Sequence, residues 1–296
     1  MTQVIVSIVF GFIILIFAWI IGFSQLLTIF KTQNTSGTAL STYILCIGCA
    51  LLSLSWGFTF YFSRMSDWWQ MSKDTGLPLI LFQMCALPII ATYIFELVGS
   101  ICYIFTKIKH IKLAKKYKVS EIELSRILLS KFKNKKQQYL PCILIVSTMV
   151  IVSFGASICL ALFTNPAINP GIVSPDEKQM TPIIITFSCL GAASWEAISW
   201  PQFIKCIKTK DTTGISLNWA IFMPVSCLVS LVYAAFVATI TGTFMLDTLG
   251  ALIFNGVLVN IGVLVLKIIN RSKAKHLGIS EIEYTRRMKK TKQKRA

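Results

Sequence analysis

Two carboxylates sit where they are expensive. Glu96 and Glu196 each lie near the middle of a long apolar run, where a charged group rarely faces lipid. Such an acid can stay protonated and inert, bind a cation, or relay a proton, because leaving water favours its neutral form. Glu196 precedes Pro201 and Gln202 in its run, which makes it the candidate for proton coupling; Glu96 is a candidate for substrate contact. Pro201 lacks an N–H and clashes with the carbonyl four residues back, so it is expected to bend its helix. Pro224 and Pro88 are expected to do the same in theirs. Gln202 can both donate and accept, so it can tie the broken turn to a neighbouring helix, and a bend near the mouth of a bundle suits a gate. The alternative is a static kink, common in membrane helices. Trp56 and Tyr233 fall at matching places in two runs; such a pair can stack a sugar ring or organic cation, or anchor at the interface. Trp68 and Trp69 read as interface anchors, Trp195 and Trp200 as cavity or packing residues, and Asp247 as a solvated run end.

The elements that would position these groups follow from composition. The chain has 296 residues, 55% hydrophobic and 14% charged, with mean hydropathy +0.69. Soluble domains carry about 25% charged residues. Runs of roughly 20 apolar residues, each enough to cross about 30 Å of hydrocarbon, recur at about 4–30, 38–62, 78–106, 140–164, 182–207, 216–240 and 246–269. The first begins without a basic start and is too long for a signal-peptide core. An all-α membrane protein of seven transmembrane helices is expected. The formal charge is +17, from 29 Lys and Arg against 12 Asp and Glu. With the N-terminus outside, only Arg64, Lys73 and Lys178 fall on the outer side, and the excess of basic residues on the other side makes the C-terminus cytoplasmic.

Nine cysteines lie within or beside apolar runs, where a free thiol behaves as a small hydrophobe. Cys46 and Cys49 form a C-x-x-C with no second pair at zinc spacing. His110 and His276 lie in basic stretches and complete no triad. No metal, cofactor or catalytic residue is expected, and an intramembrane enzyme has no nucleophile–base pair to rest on.

The chain repeats itself. Lys31-Thr32-Gln33-Asn34-Thr35-Ser36-Gly37 returns as Lys208-Thr209-Lys210-Asp211-Thr212-Thr213-Gly214, an offset of 177 that also pairs Gln25 with Gln202 and Ser24 with Pro201. After the third run of each half, Val119-Ser120-Glu121-Ile122-Glu123 returns as Ile279-Ser280-Glu281-Ile282-Glu283, an offset of 160 that also pairs Lys107 with Lys267. Gly37 and Gly214 read as tight turns before the next helix. A three-helix unit that starts outside ends inside, so a second copy in the same orientation needs one extra crossing. The expected organisation is a repeat at 1–106, a basic amphipathic segment at 107–139, a linker helix and outer loop at 140–181, a second repeat at 182–269, and a basic tail at 270–296. That is a 3+1+3 arrangement of parallel repeats, a known transporter design.

The pair Pro201-Gln202 followed by Gly214-Ile215-Ser216, with Ser24-Gln25 followed by Gly37-Thr38-Ala39 in register, resembles the PQ-loop repeat family, which includes the SWEET sugar transporters, bacterial half-SWEETs and lysosomal amino-acid exporters. The first copy lacks the Pro and the Ser. The resemblance implies a carrier for a small polar metabolite, sugar or amino acid, working by alternating access, with hinges at Pro201, Gln202, Gln25, Ser24 and Pro224. It also implies that an Asn on the third helix of each repeat contacts substrate: Asn255, followed by Gly256, is the first choice and Asn260 the second. Phe95 stands where the first repeat would carry that Asn, which weakens a simple sugar assignment. No phosphate-binding loop is present, so transport is expected to be facilitative or proton-coupled. A non-transporting receptor shares the topology but has no reason for a repeat; a trafficking or chaperone role is the remaining alternative. The basic segments are read as helices near an anionic inner leaflet, with no nucleic acid required. The membrane is expected to be a bacterial-type plasma membrane, and a homo-oligomer is compatible with the pattern. The orientation is checked by impermeant thiol labelling in a Cys-depleted background. A cysteine at position 74 should react in intact cells, and one at 130 only after permeabilisation.

Overall fold

The computed structural model describes residues 2–62, 73–74, 76, 78–131, 135–164, 198–241 and 252–293. All of its regular structure is helical among these residues: α1 (Thr2–Thr32), α2 (Leu40–Phe62), α3 (Leu79–Lys116), α4 (Glu121–Ser130), α5 (Lys135–Thr164), α6 (Trp200–Thr209), α7 (Leu217–Thr241), a π-helical segment (Leu252–Val259), α8 (Asn260–His276) and α9 (Glu281–Gln293). Two stretches, Phe12–Thr32 and Ile90–Lys116, are long and apolar enough to cross a membrane; shorter apolar helical stretches cover Leu40–Leu54, Cys142–Ala156 and Leu217–Val229.

The helix ends repeat with the sequence. α1 closes on Gln33 at φ 48° and α6 on Lys210 at φ 54°, left-handed positions that stop a helix. Further on, α3 is closed by Lys118 at φ 52° and α8 by Gly278 at φ 64°. The next amides reach back in both places, Val119 N–H to Ala114 O and Ile279 N–H to Ala274 O, each at 3.0 Å. α4 then starts with a capping box, in which Ser120 accepts from the Glu123 amide and the Glu123 carboxylate accepts from Ser120 N–H. Ser280 accepts from the Glu283 amide at the start of α9. The basic segments therefore continue α3 and α8 for about three turns and then reverse.

Packing repeats as well. α3 lies against both α1 and α2, and α8, with the π segment, lies against both α6 and α7. The units meet through crossed pairs, α1 on α7 and α2 on α6. α5 packs on α3 and α1 and has no counterpart among the described residues of the second half. One core joins Ile21 of α1 to Cys206, Trp219, Ala220 and Val263 of the second unit. Another joins Leu26 and Phe95 to Cys142 and Met149 of α5. These contacts gain dispersion energy from close packing.

The structure adds detail to three expectations. Pro201 stands in the first turn of the described α6, where its missing N–H costs nothing, and the part of its run before residue 198 lies outside the described residues; Pro224 is inside α7 as expected. The described part of the last run begins as a π-helix that holds Asn255 and Gly256, and becomes α-helical at Asn260. Gly37 and Gly214 lie in tight turns as expected, without a left-handed φ. They are glycines because the two turns touch: a Cβ on Gly37 would stand 2.9 Å from Gly214 N and 3.0 Å from Asp211 O. On Gly214 the nearest atoms, Asn34 O and Gly37 N, would lie at 3.3 Å. Both neighbours are backbone and cannot swing away, so Gly37→Ala is expected to cost about 1–3 kcal/mol. Gly214→Ala is expected to cost less; thermal unfolding in detergent that ranks them the other way would contradict this packing.

Candidate functional site

The orphan backbone groups where α2 and α7 begin determine what surrounds them. The first amides of a helix have no partner within it, and at a buried helix start something must supply one. Here each repeat supplies the other. Gln202 Oε1 accepts from Ala39 N–H at 2.8 Å, and its Nε2 donates to Gly37 O at 2.8 Å. Gln25 Oε1 accepts from Ser216 N–H at 2.9 Å, and its Nε2 donates to Gly214 O at 2.8 Å. Both glutamines are buried. Each side chain thus caps the turn of the opposite unit, and the two turns are clasped face to face. Gln202 also donates to the thiol of Cys206, a buried residue one turn along α6.

A second layer crosses between the turns. Asn34 Nδ2 donates to Thr213 Oγ1 at 2.7 Å, while Ser36 Oγ donates to Asp211 Oδ2 at 2.8 Å. Asp211 Oδ1 accepts from Thr213 N–H and Oγ1. Lys289 of α9 reaches the same carboxylate at 2.8 Å. Burial opposes a charge on Asp211, but Lys289 and the hydrogen bonds from Thr213 and Ser36 outweigh it and hold the carboxyl below the usual range.

A third layer fastens the turns to the reversed helices. Lys107 donates to Thr35 O and pairs with Glu121 at 2.5 Å. In the second half Lys267 donates to Thr212 O at 2.8 Å and pairs with Glu281 at 2.8 Å. Both lysines are buried, and a buried ammonium needs such a partner. The threonine hydroxyls join too: Thr35 Oγ1 meets His110 Nδ1 and Glu121, and Thr212 Oγ1 meets Asn270 Nδ2 and Glu281.

Of the residues singled out from sequence, Gln25 and Gln202 come together in the clasp. Ser24 is buried beside it on α1, its hydroxyl bonded to Ile21 O. Glu96 lies on α3 within electrostatic reach of Cys46 and Cys49 on α2 and of Cys227 on α7. Asn260 is buried at the start of α8, donating to Ser199 Oγ at 3.1 Å and Gly256 O at 2.6 Å. Its Oδ1 has no hydrogen-bond partner among the described residues. Asn260 therefore braces the π-to-α junction against the start of α6 and keeps one acceptor unused. Asn255, Trp56 and Tyr233 have described backbone in the π segment, α2 and α7, but their side chains lie outside what is described, as does Glu196 altogether. The third layer was visible in the repeat as aligned lysines and glutamates, yet its pattern read as helices for a lipid surface. No protein-family model, curated protein or solved structure matches the chain.

Replacing either glutamine by alanine leaves one buried amide and one buried carbonyl unpaired, at about 1–3 kcal/mol each. Gln25→Ala and Gln202→Ala are therefore expected to lower stability by similar amounts, read by denaturant unfolding in detergent. Loss from one variant with none from the other would show that the clasp is not reciprocal.

Proposed function

We propose that the chain is a seven-span membrane carrier of the PQ-loop, SWEET-like kind, moving a small polar metabolite by alternating access between two three-helix units. One observation carries the reading: the reciprocal clasp of Gln25 and Gln202. It joins the two units at one end, through the turns that precede α2 and α7, with matching bonds in both directions. Two similar bodies closed against each other at one end is what alternating access requires of one of its states. With the N-terminus outside, the clasped end would be cytoplasmic and the clasp would close the inner mouth. The substrate space is assigned to the junction of the two units near Glu96, with the unused Asn260 acceptor and the Asn255-Gly256 π segment on its wall. A small unit-to-unit rotation would exchange the closed end. Glu196, or Glu96, would carry a proton if the flux is coupled, and an anionic inner leaflet would lie against the exposed lysines.

Uptake of labelled sugars and amino acids into proteoliposomes tests the reading. One class should be taken up and saturate, and Asn260→Ala should weaken its apparent affinity about tenfold or more, as expected for losing a buried polar contact of about 1.4 kcal/mol. Glu196→Gln should keep exchange between loaded compartments and lose accumulation driven by an imposed pH gradient. Failure of every substrate class in sealed, folded preparations would overturn the carrier reading.

A further inference from the structure

The two halves of the clasp are fastened unequally. Each turn is held by one lysine–glutamate pair, Lys107–Glu121 in the first half and Lys267–Glu281 in the second. The second has an additional tie from its own reversed helix, whereas the extra lysine on the first turn, Lys205 donating to Thr38 O at 2.6 Å, comes from α6 of the opposite unit. Asp211 is fully buried, and its Oδ2 accepts from both Lys289 of α9 and Ser36 of the opposite turn, each at 2.8 Å. A single oxygen therefore couples the carboxy-terminal helix to the other repeat. At the equivalent places in the first half stand Asn34, which is neutral, and Leu129, which carries no charge. The difference is concerted: where the turn acquires a carboxylate, the reversed helix acquires an ammonium. α9 is short and strongly polar, with Lys289 about two-fifths exposed, so its hold on the turn rests on Glu281 and Lys289 more than on apolar burial.

We propose that α9 is an autoinhibitory strap: by joining Asp211 and Lys267 it pins the α6–α7 turn against the α1–α2 turn, and it must lift before the clasped end can open. This deepens the carrier reading and rests on it for its physiological meaning. The logic is local. While Lys289 is in place, Asp211 is neutralised and Ser36 stays bonded to it. When the ammonium leaves, α9 holds the turn through the Glu281–Lys267 pair alone, and the turn is free to part from Ser36. α4, with Leu129, can do nothing of this kind, so the two units differ in readiness to part.

Cys206 is a native reporter. It is fully buried beneath the clasp and bonded by Gln202 Nε2 at 3.1 Å, so its alkylation follows the population of the opened end. The experiment is the rate of N-ethylmaleimide modification of Cys206 in the full-length protein, read by peptide mass spectrometry. Lys289→Leu, which installs the residue found at position 129, is expected to raise the rate about tenfold, and Lys289→Arg to leave it near wild type. Arg287→Leu removes a neighbouring cation, bonded to Glu283 rather than Asp211, and should be silent. The double variant Asp211→Asn with Lys289→Leu restores the first-half pairing and should remain fast. An unchanged rate in Lys289→Leu, an equal rise in Arg287→Leu, or a return to the wild-type rate in the double variant would each overturn the strap; the last would mark the effect as a stranded charge only. Labelling needs no substrate, so its failure is distinguishable from failure of the carrier reading. In a preparation that transports, Lys289→Leu should also speed uptake.

Discussion

Backbone polarity at two helix starts governs this fold. The amides of Ala39 and Ser216, and the carbonyls of Gly37 and Gly214, are buried where no water can serve them. A neighbouring turn cannot pair with them directly, because two turns packed face to face present similar groups to one another. A primary amide can, since it donates and accepts from one end of a flexible stem. Gln25 and Gln202 each fit that need, and each does so from the other repeat. Once these bonds are required, the turns must approach closely, and a Cβ has no room on either glycine. The crossed helix pairs follow, α1 on α7 and α2 on α6, because the helices that carry the glutamines must stand beside the turns they cap.

The outer layers protect that centre. Lys107 and Lys267 each satisfy a turn carbonyl while paired with a glutamate from the reversed helix. Neither lysine would be tolerated in that burial without the reversal at 117–120 or 277–280, which carries the carboxylate back over the turn. The left-handed Lys118 and Gly278 are what make the reversal sharp enough. Divergence is confined to compatible substitutions. His110 and Asn270 both offer a ring or amide nitrogen to a threonine hydroxyl, and the Asn34-to-Asp211 change is balanced by Leu129 and Lys289.

Away from the clasp the halves no longer match. Phe95 packs into the α1–α3–α5 core, whereas its counterpart, Asn255, stands in a π-helical segment. A π-helix registers one extra residue per turn and is frequent at functional sites. Here it ends at Asn260, whose amide nitrogen is shared between the start of α6 and Gly256 while its oxygen has no partner among the described residues.

The amino-acid sequence by itself determined the helical character of the chain, the register of its two copies and the separation of basic segments from apolar runs. These properties are written in composition and periodicity. It also marked Gln25 and Gln202 as equivalent, and Lys107 and Lys267 as equivalent, because equivalence is a displacement along the chain. Tertiary structure alone decided what those residues touch. Gln202 could as well have braced its own helix, since its chemistry suits either partner; only the packing of α2 on α6 puts Gly37 and Ala39 within its reach. The lysine–glutamate pairs, fourteen residues apart, look from periodicity like one face of a lipid-bound helix, and become latches only because the chain reverses between them. Lys289 meeting Asp211 joins residues 78 positions apart and leaves no local pattern at all. A repeat says which residues are alike, and the symmetry that brings the copies together, a property of packed surfaces, says which of them meet.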